Sequence, residues 1–222
     1  MKRDSLKDLL AFERAWWRKH PGGLLAGIDE AGRGCLAGPV MVGAVSMSPE
    51  LAEELHSGAL ARMTDSKQLT PLQRERFYEI LTTTPGVMAV TALSTAREID
   101  ETNILAANYQ AMRRAVEALP ALPDHVLVDG LPVKYLPVTS TAIVKGDAKS
   151  FLIGAASIMA KVTRDHLMVA LHSRYPNYRF DKNKGYGSHE HLEALFKFGS
   201  CPEHRHTFRP VADVDQRLPG FE

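Results

Sequence analysis

Cysteine is scarce in this chain. Cys35 and Cys201 are the only two in 222 residues, too few and too far apart for a disulfide framework, which fits a reducing compartment. An excess of charge of one sign is missing too. Twenty-seven Lys+Arg against 26 Asp+Glu leave a formal charge of +1, so no overall field announces a polyanionic partner and local charge must decide. Long apolar runs are also absent. The stretch Met1 to His20 is charged and carries Trp16 and Trp17, with no apolar core long enough for a signal peptide or a membrane span, so a cytoplasmic protein without a membrane partner is expected. No internal repeat or low-complexity tract is visible. The lack of heptads argues against a coiled-coil dimer and for a monomer.

What is present is ordinary globular material, 45% hydrophobic and 24% charged, enough for one substantial core. Ser5 to Trp17 reads as a short amphipathic helix ahead of the Pro21-Gly22-Gly23 break. Leu24 to Ile28 and Val40 to Val45 read as strands. A helix over Leu72 to Leu81 follows a Thr70 cap and an N1 Pro71. Val87 to Leu93 is β-branched and short, a strand. Ile104 to Leu119 puts Leu105, Tyr109, Met112, Val116 and Leu119 on one helical face. His125 to Val128 and Val138 to Val144 are strands that run into Asp129-Gly130 and Gly146-Asp147. Ala148 to Leu171 reads as a long, largely buried helix, followed by a polar loop to Gly187 and a short helix from His189 to Phe198. Strands alternating with helices predict one α/β layer domain.

The chemistry concentrates where an apolar run ends in two carboxylates, Asp29 and Glu30, and breaks into Gly32-Arg33-Gly34. Hard divalent cations take oxygen ligands, and a pair of them roughly 3.5 to 4 Å apart needs several carboxylates beside a phosphate. Asp29, Glu30, Asp129 and Asp147 each sit at the end of an apolar segment, and strand ends on one sheet edge converge. Asp129 and Asp147 alone could equally be turn formers beside Gly130 and Gly146. Set beside Asp29-Glu30, they read as metal ligands. Asp165, inside a helix, more naturally pairs with Lys161.

Between Arg174 and Arg209 seven bases face four acids, with four histidines in the same stretch, which makes the C-terminal quarter a candidate phosphate-facing surface. Lys145, Lys149, Lys184, Arg205 and Arg209 are the individual phosphate contacts this suggests. Ser66 and Lys67, in Asp65-Ser66-Lys67, offer a hydroxyl and an ammonium at a helix approach. Gly32 and Gly34 let backbone approach a sugar edge closely, and a 2′-hydroxyl is what separates RNA from DNA. Tyr186, between Gly185 and Gly187, suits stacking on a sugar or base. His189, His191, Cys201, His204 and His206 show no standard zinc spacing.

Six segments taken together, Gly27 to Gly34, Thr64-Asp65-Ser66-Lys67, Val128-Asp129-Gly130, Lys145 to Ser150, Ala155 to Val162 and Lys184-Gly185-Tyr186-Gly187, resemble the bacterial ribonuclease HII family. The resemblance runs from about Leu24 to Val211. It implies a ribonuclease H-like fold, a mixed five-stranded sheet flanked by helices with a small helical C-terminal subdomain. On that division 1–20 is an N-terminal helical extension, 21–172 the catalytic core and 173–222 a substrate-binding segment. The resemblance also implies an endonuclease dependent on Mg2+ or Mn2+, with Asp29, Glu30, Asp129 and Asp147 as catalytic metal ligands and Gly32, Arg33 and Gly34 as the sugar-reading loop. Its substrates would be RNA/DNA hybrids and duplex DNA containing ribonucleotides. Tyr186 would pack on the sugar after the ribonucleotide, where a 2′-hydroxyl interferes. The segment before Pro21 and Cys35 depart from the family pattern. A hybrid-binding module without catalysis, or another two-metal nuclease or recombinase of the same fold, are the alternatives, and recruitment by a sliding clamp stays open.

Overall fold

The computed structural model describes residues 8–64 and 66–217. Ser5 to Lys7 of the expected first helix, and Asp65, lie outside them. Five strands, β1 (Leu25–Ala31), β2 (Val40–Ser46), β3 (Met88–Ser94), β4 (His125–Asp129) and β5 (Thr139–Ile143), form one sheet in the order β3-β2-β1-β4-β5. The first three pair antiparallel, and β4 and β5 add parallel to β1. The mixed sheet implied by the resemblance is therefore present.

Period-two alternation divides the core into two layers. Leu25, Val45 and Leu127 pack on one face, against the long helix α6 (Phe151–Arg174) and, outside it, α1 (Ala11–Lys19), α2 (Pro49–Ser57) and α3 (Pro71–Thr83). Ala26, Ile28, Val42, Ala44, Val126 and Val128 pack on the other, against α5 (Ile104–Glu117) and Ile99 of α4 (Ala96–Glu101). Every residue of α6 from Phe151 to Ala160 is buried, which is why this half shows apolar residues all round rather than a stripe. A full burial such as that of Phe151 contributes about 1.5–3 kcal/mol.

The approach of α6 to the sheet is set by two glycines. A Cβ on Gly27 would stand 2.3 Å from the Leu152 carbonyl carbon, and one on Gly43 would stand 2.2 Å from the Ala156 oxygen. The helix backbone thus rests directly on β1 and β2.

The segment before Pro21 docks on the start of α6. Glu13, fully buried, accepts from the Ser150 hydroxyl (2.6 Å) and the Leu152 N–H (3.0 Å), and Phe151 N–H donates to the Leu9 carbonyl (2.8 Å). A carboxylate there meets free N–H groups and the positive end of the helix. Burial still pushes the Glu13 pKa up.

Several boundaries move. β1 continues to Ala31, because Asp29 and Glu30 pair with Gly43 and Val42 of β2, so both acids lie inside a strand. α2 and α4 form where no helix was expected, the first capped by Ser48 with Pro49 following, the second by a Thr95–Glu98 capping box. The polar loop after Tyr175 contains α7 (Phe180–Asn183), held between left-handed Arg179 (φ 54°) and Lys184 (φ 51°). Then come α8 (His189–Phe198) and α9 (Val211–Arg217).

Candidate active site

The acids gather at the end of β1 and β4. Alternation sends Asp29 toward α6 and Glu30 toward α5. Asp29, 6% exposed, accepts the Glu30 N–H (2.7 Å) and a hydrogen bond from Ser157 of α6, whose Oγ lies 2.8 Å from the Ser66 Oγ. Burial pushes the Asp29 pKa well up, and the charges of Glu30 and Asp129 push it further. Burial also raises Glu30, against the pull of the Arg33 charge and a hydrogen bond from Asn108, with Asp129 adding to the rise. Arg33 Nη1 stands 3.5 Å from Glu30 Oε1.

Parallel pairing of Ile28 with Val128 brings Asp129 level with Asp29. One oxygen of Asp129 accepts the N–H of Gly146 (2.6 Å) and, at 3.4 Å, that of Asp147. Asp147, 7% exposed, sits on the turn Gly146–Ala148 after β5, and Lys67 Nζ lies 3.9 Å from its Oδ2. Asp29 and Glu30 feel the charge of Asp129, and Asp147 is tied to Asp129 through its backbone N–H. A small cleft of about 130 Å³ opens beside them, lined among others by Glu30, Arg33, Asn108 and Asp129. No three His, Cys, Asp or Glu side chains among the described residues are grouped so as to hold a metal ion by themselves. The donor set nonetheless fits a hard divalent cation, being all carboxylate oxygen, and a cation would offset both the burial and the neighbouring charges that raise Asp29.

The chain matches the family model described as Ribonuclease HII over residues 26–211. It is 48% identical over 213 residues to the ribonuclease HII of Paracidovorax citrulli, covering 96% of this chain and 85% of the relative. The chain belongs to the ribonuclease HII family. It is thus a nuclease hydrolase of a family that depends on divalent metal. The solved ribonuclease H2 of Pyrococcus horikoshii OT3 superposes with a TM-score of 0.71 at 30% identity, covering 87% of this chain and 98% of that one. Bst-RNase HIII, solved in complex with Mn2+, shares the fold at a TM-score of 0.64 and 15% identity, with 89% and 71% covered.

Around the Gly32-Arg33-Gly34 loop the structure departs from the expected roles of several bases. Gly32 has φ +86°, and Arg164 Nε lies 1.9 Å from where its Cβ would be. Arg164 donates to the carbonyls of Pro39 (2.9 Å), Lys184 (2.8 Å) and Ala37 (3.1 Å). Arg205, expected at a phosphate, is fully buried and donates to the carbonyls of Gly32 (2.6 Å), Arg33 (2.8 Å) and Gly38 (3.1 Å). Its correction has a plain cause: five carbonyls on the loop from Gly32 to Pro39, and that of Lys184 beside it, need donors, and two guanidinium forks supply them. Burial lowers the Arg205 pKa to about 10.

The Ser66 hydroxyl is likewise turned inward, onto Ser157. Lys149 Nζ folds back on the Val144 carbonyl (2.6 Å) and Lys184 Nζ on the Asp181 carbonyl. Lys67, Lys145 and Arg33 reach the surface. Lys161 pairs with Asp165 at 2.8 Å, as the sequence suggests.

Tyr186 is 45% exposed, with Lys161 Nζ and the Arg164 guanidinium 5.7 and 6.0 Å from its ring centre. Its carbonyl is fixed by a buried relay. Cys201 N–H donates to His204 Nδ1 (2.9 Å), the Nε2 atoms of His204 and His191 lie 3.0 Å apart, and His191 Nδ1 meets the Tyr186 oxygen at 2.8 Å. With Nδ1 of His191 donating and Nδ1 of His204 accepting, one proton serves the pair, so both rings are neutral. Burial lowers both pKa values, His204 to about 3. Cys35 is buried and its thiol pKa is raised, which makes it a poor nucleophile.

Asn108 and Ser157 were not anticipated. Each is a polar residue on an otherwise apolar helix face, and that is the signal that could have found them. A larger cavity of about 830 Å³ lies between α4 and the tail near His206 and Asp215, and none of the four acids lines it. An open edge, rather than a deep pocket, suits a duplex.

Proposed function

We propose that the protein hydrolyses the phosphodiester on the 5′ side of ribonucleotides in RNA/DNA hybrids and in duplex DNA holding single ribonucleotides, leaving 3′-hydroxyl and 5′-phosphate ends. The observation that carries this reading is that parallel pairing of β1 with β4 sets Asp129 beside Asp29 and Glu30, with the Asp147 N–H 3.4 Å from an Asp129 oxygen. Two cations, Mg2+ or Mn2+, held by these four acids would supply an activated water and stabilise the leaving oxygen and the developing phosphate charge.

The remaining work falls to this chain's own groups. Ser157 and Asn108 orient Asp29 and Glu30. Gly32, Arg33 and Gly34 present backbone to the ribose, and Lys67, Lys145 and Arg33 meet backbone phosphates. Tyr186 stacks on the next sugar, supported by the segment 173–222, so that the junction from RNA to DNA is favoured. Ser66 acts through Ser157 on Asp29, and Lys184 through its carbonyl on Arg164.

Cleavage mapping on a DNA duplex with a single ribonucleotide, with and without Mg2+, tests activity, sugar selectivity and metal dependence together. A single Mg2+-dependent cut 5′ of the ribonucleotide is expected. Equal cutting of all-DNA duplex would sink the reading.

A further inference from the structure

Arg205 has no ion-pair partner among the described residues and directs its whole guanidinium to carbonyls, two of them those of Gly32 and Arg33. The only cis peptide among the described residues is Arg209-Pro210. In a trans peptide unit the carbonyl and the following N–H point to opposite sides. Drawing the Gly32 and Arg33 carbonyls onto Arg205 therefore turns the N–H groups of Arg33 and Gly34 away from it. Neither N–H meets an acceptor among the described residues. Both residues are exposed, and a Cβ on Gly34 would have no heavy atom within 4 Å. The loop cannot relax by letting Gly32 turn, because Arg164 fills the space beneath it. Two neighbouring unpaired donors beside Glu30 and the cleft form a small concave donor pair suited to one oxygen.

We propose that Arg205 is the positioning residue for sugar selectivity: by holding the Gly32 and Arg33 carbonyls it aims the Arg33 and Gly34 N–H groups at the 2′-oxygen of the ribonucleotide. The inference rests on the function proposed above and adds the residue that sets the donor direction. Arg205 itself touches no substrate.

The test is Arg205→Lys, which keeps the charge and loses the fork. Two quantities are compared: kcat/KM on a duplex with one ribonucleotide, and the inhibition constant of the matching all-DNA duplex as competitor. The expected result is a fall of roughly tenfold in kcat/KM, the size of one lost hydrogen bond, with the all-DNA inhibition constant within about twofold of wild type, as phosphate contacts are untouched. Equal weakening of both, or no change in either, would overturn the inference.

Should Arg205→Lys fail to fold, the wild-type protein decides. Without divalent metal, amide NMR signals of Arg33 and Gly34 should shift on adding the ribonucleotide duplex and not on adding the all-DNA duplex. Like responses to both would overturn the inference. Wild-type cleavage of both duplexes alike would instead overturn the proposed function.

Discussion

The acids at the sheet edge and the two arginines beneath the glycine loop are both buried charge, arranged in opposite ways. Asp29 and Glu30 sit on opposite faces of one strand end beside Asp129, and burial first, then the neighbouring carboxylates, pushes the pKa values of Asp29 and Glu30 up despite hydrogen bonds from Ser157 and Asn108. Arg164 and Arg205 are each matched to three carbonyls. Charge spread over dipoles builds a rigid loop, while charge set against like charge stays costly until a cation arrives. The first arrangement serves shape and the second serves binding.

Neutralising one acid breaks the contrast most sharply. Asp29→Asn should lower Mg2+-dependent turnover by about a thousandfold or more, the equivalent of several kcal/mol of lost transition-state stabilisation, while hybrid binding persists and the melting temperature of the metal-free protein rises. Full activity in that variant would refute the assignment. Removing an arginine has the opposite sign. Arg164→Met leaves three buried carbonyls without their donor and should cost about 3 kcal/mol in urea unfolding. A neutral result would mean that water replaces the guanidinium.

Adding Mg2+ or Mn2+ to the wild-type protein should stabilise it by about 2.7 kcal/mol at a hundredfold excess over Kd, and much less in Asp29→Asn. Calorimetry showing the same gain in both would place the binding elsewhere. Acid gives a smaller effect. The folded His204 pKa is about 3, below the unfolded value near 6.5, so the unfolded chain binds the extra proton first. This contribution is complete above pH 6.5 and falls away as the pH drops, by about 1 kcal/mol at pH 5.5. Asp29 and Glu30, raised in the fold, oppose it, since protonation relieves their repulsion in the folded state. Urea titrations at pH 7 and 5.5 should show a flatter slope in His204→Gln and a steeper one in Asp29→Asn. The smallest change expected is for an exposed ion pair: Arg97→Ala, which loses Glu101 at 2.7 Å, should leave the urea midpoint unchanged within error.

Periodicity made the strands, α3, α5 and α6 legible, and the ends of the apolar runs exposed all four acids. α2 and α4 carried readable signals, a Ser-Pro start and a Thr-x-x-Glu box, in segments too short for a clear apolar face. α7 had none, since four residues between two left-handed ones follow from packing alone. Asp29 and Asp129 could be named but not joined, because their meeting depends on β4 pairing parallel to β1. Arg205 looked like any surface base. Its carbonyl partners lie 167 to 173 residues away in sequence, a separation over which composition says nothing. Ser66 was read for a phosphate, and its hydroxyl meets Ser157, 91 residues away.

Gly27 and Gly43 leave no layer of side chain between the sheet and α6. Sheet and helix therefore move as one rigid body, and the spacing between Asp29 and Ser157 is gauged by two missing methyl groups. A single methyl added at Gly27, two residues before Asp29, would act as a shim. It would lift Ser157 off Asp29 and unseat Ser66 behind it, so that a change of one carbon in the core registers at a carboxylate on the sheet edge.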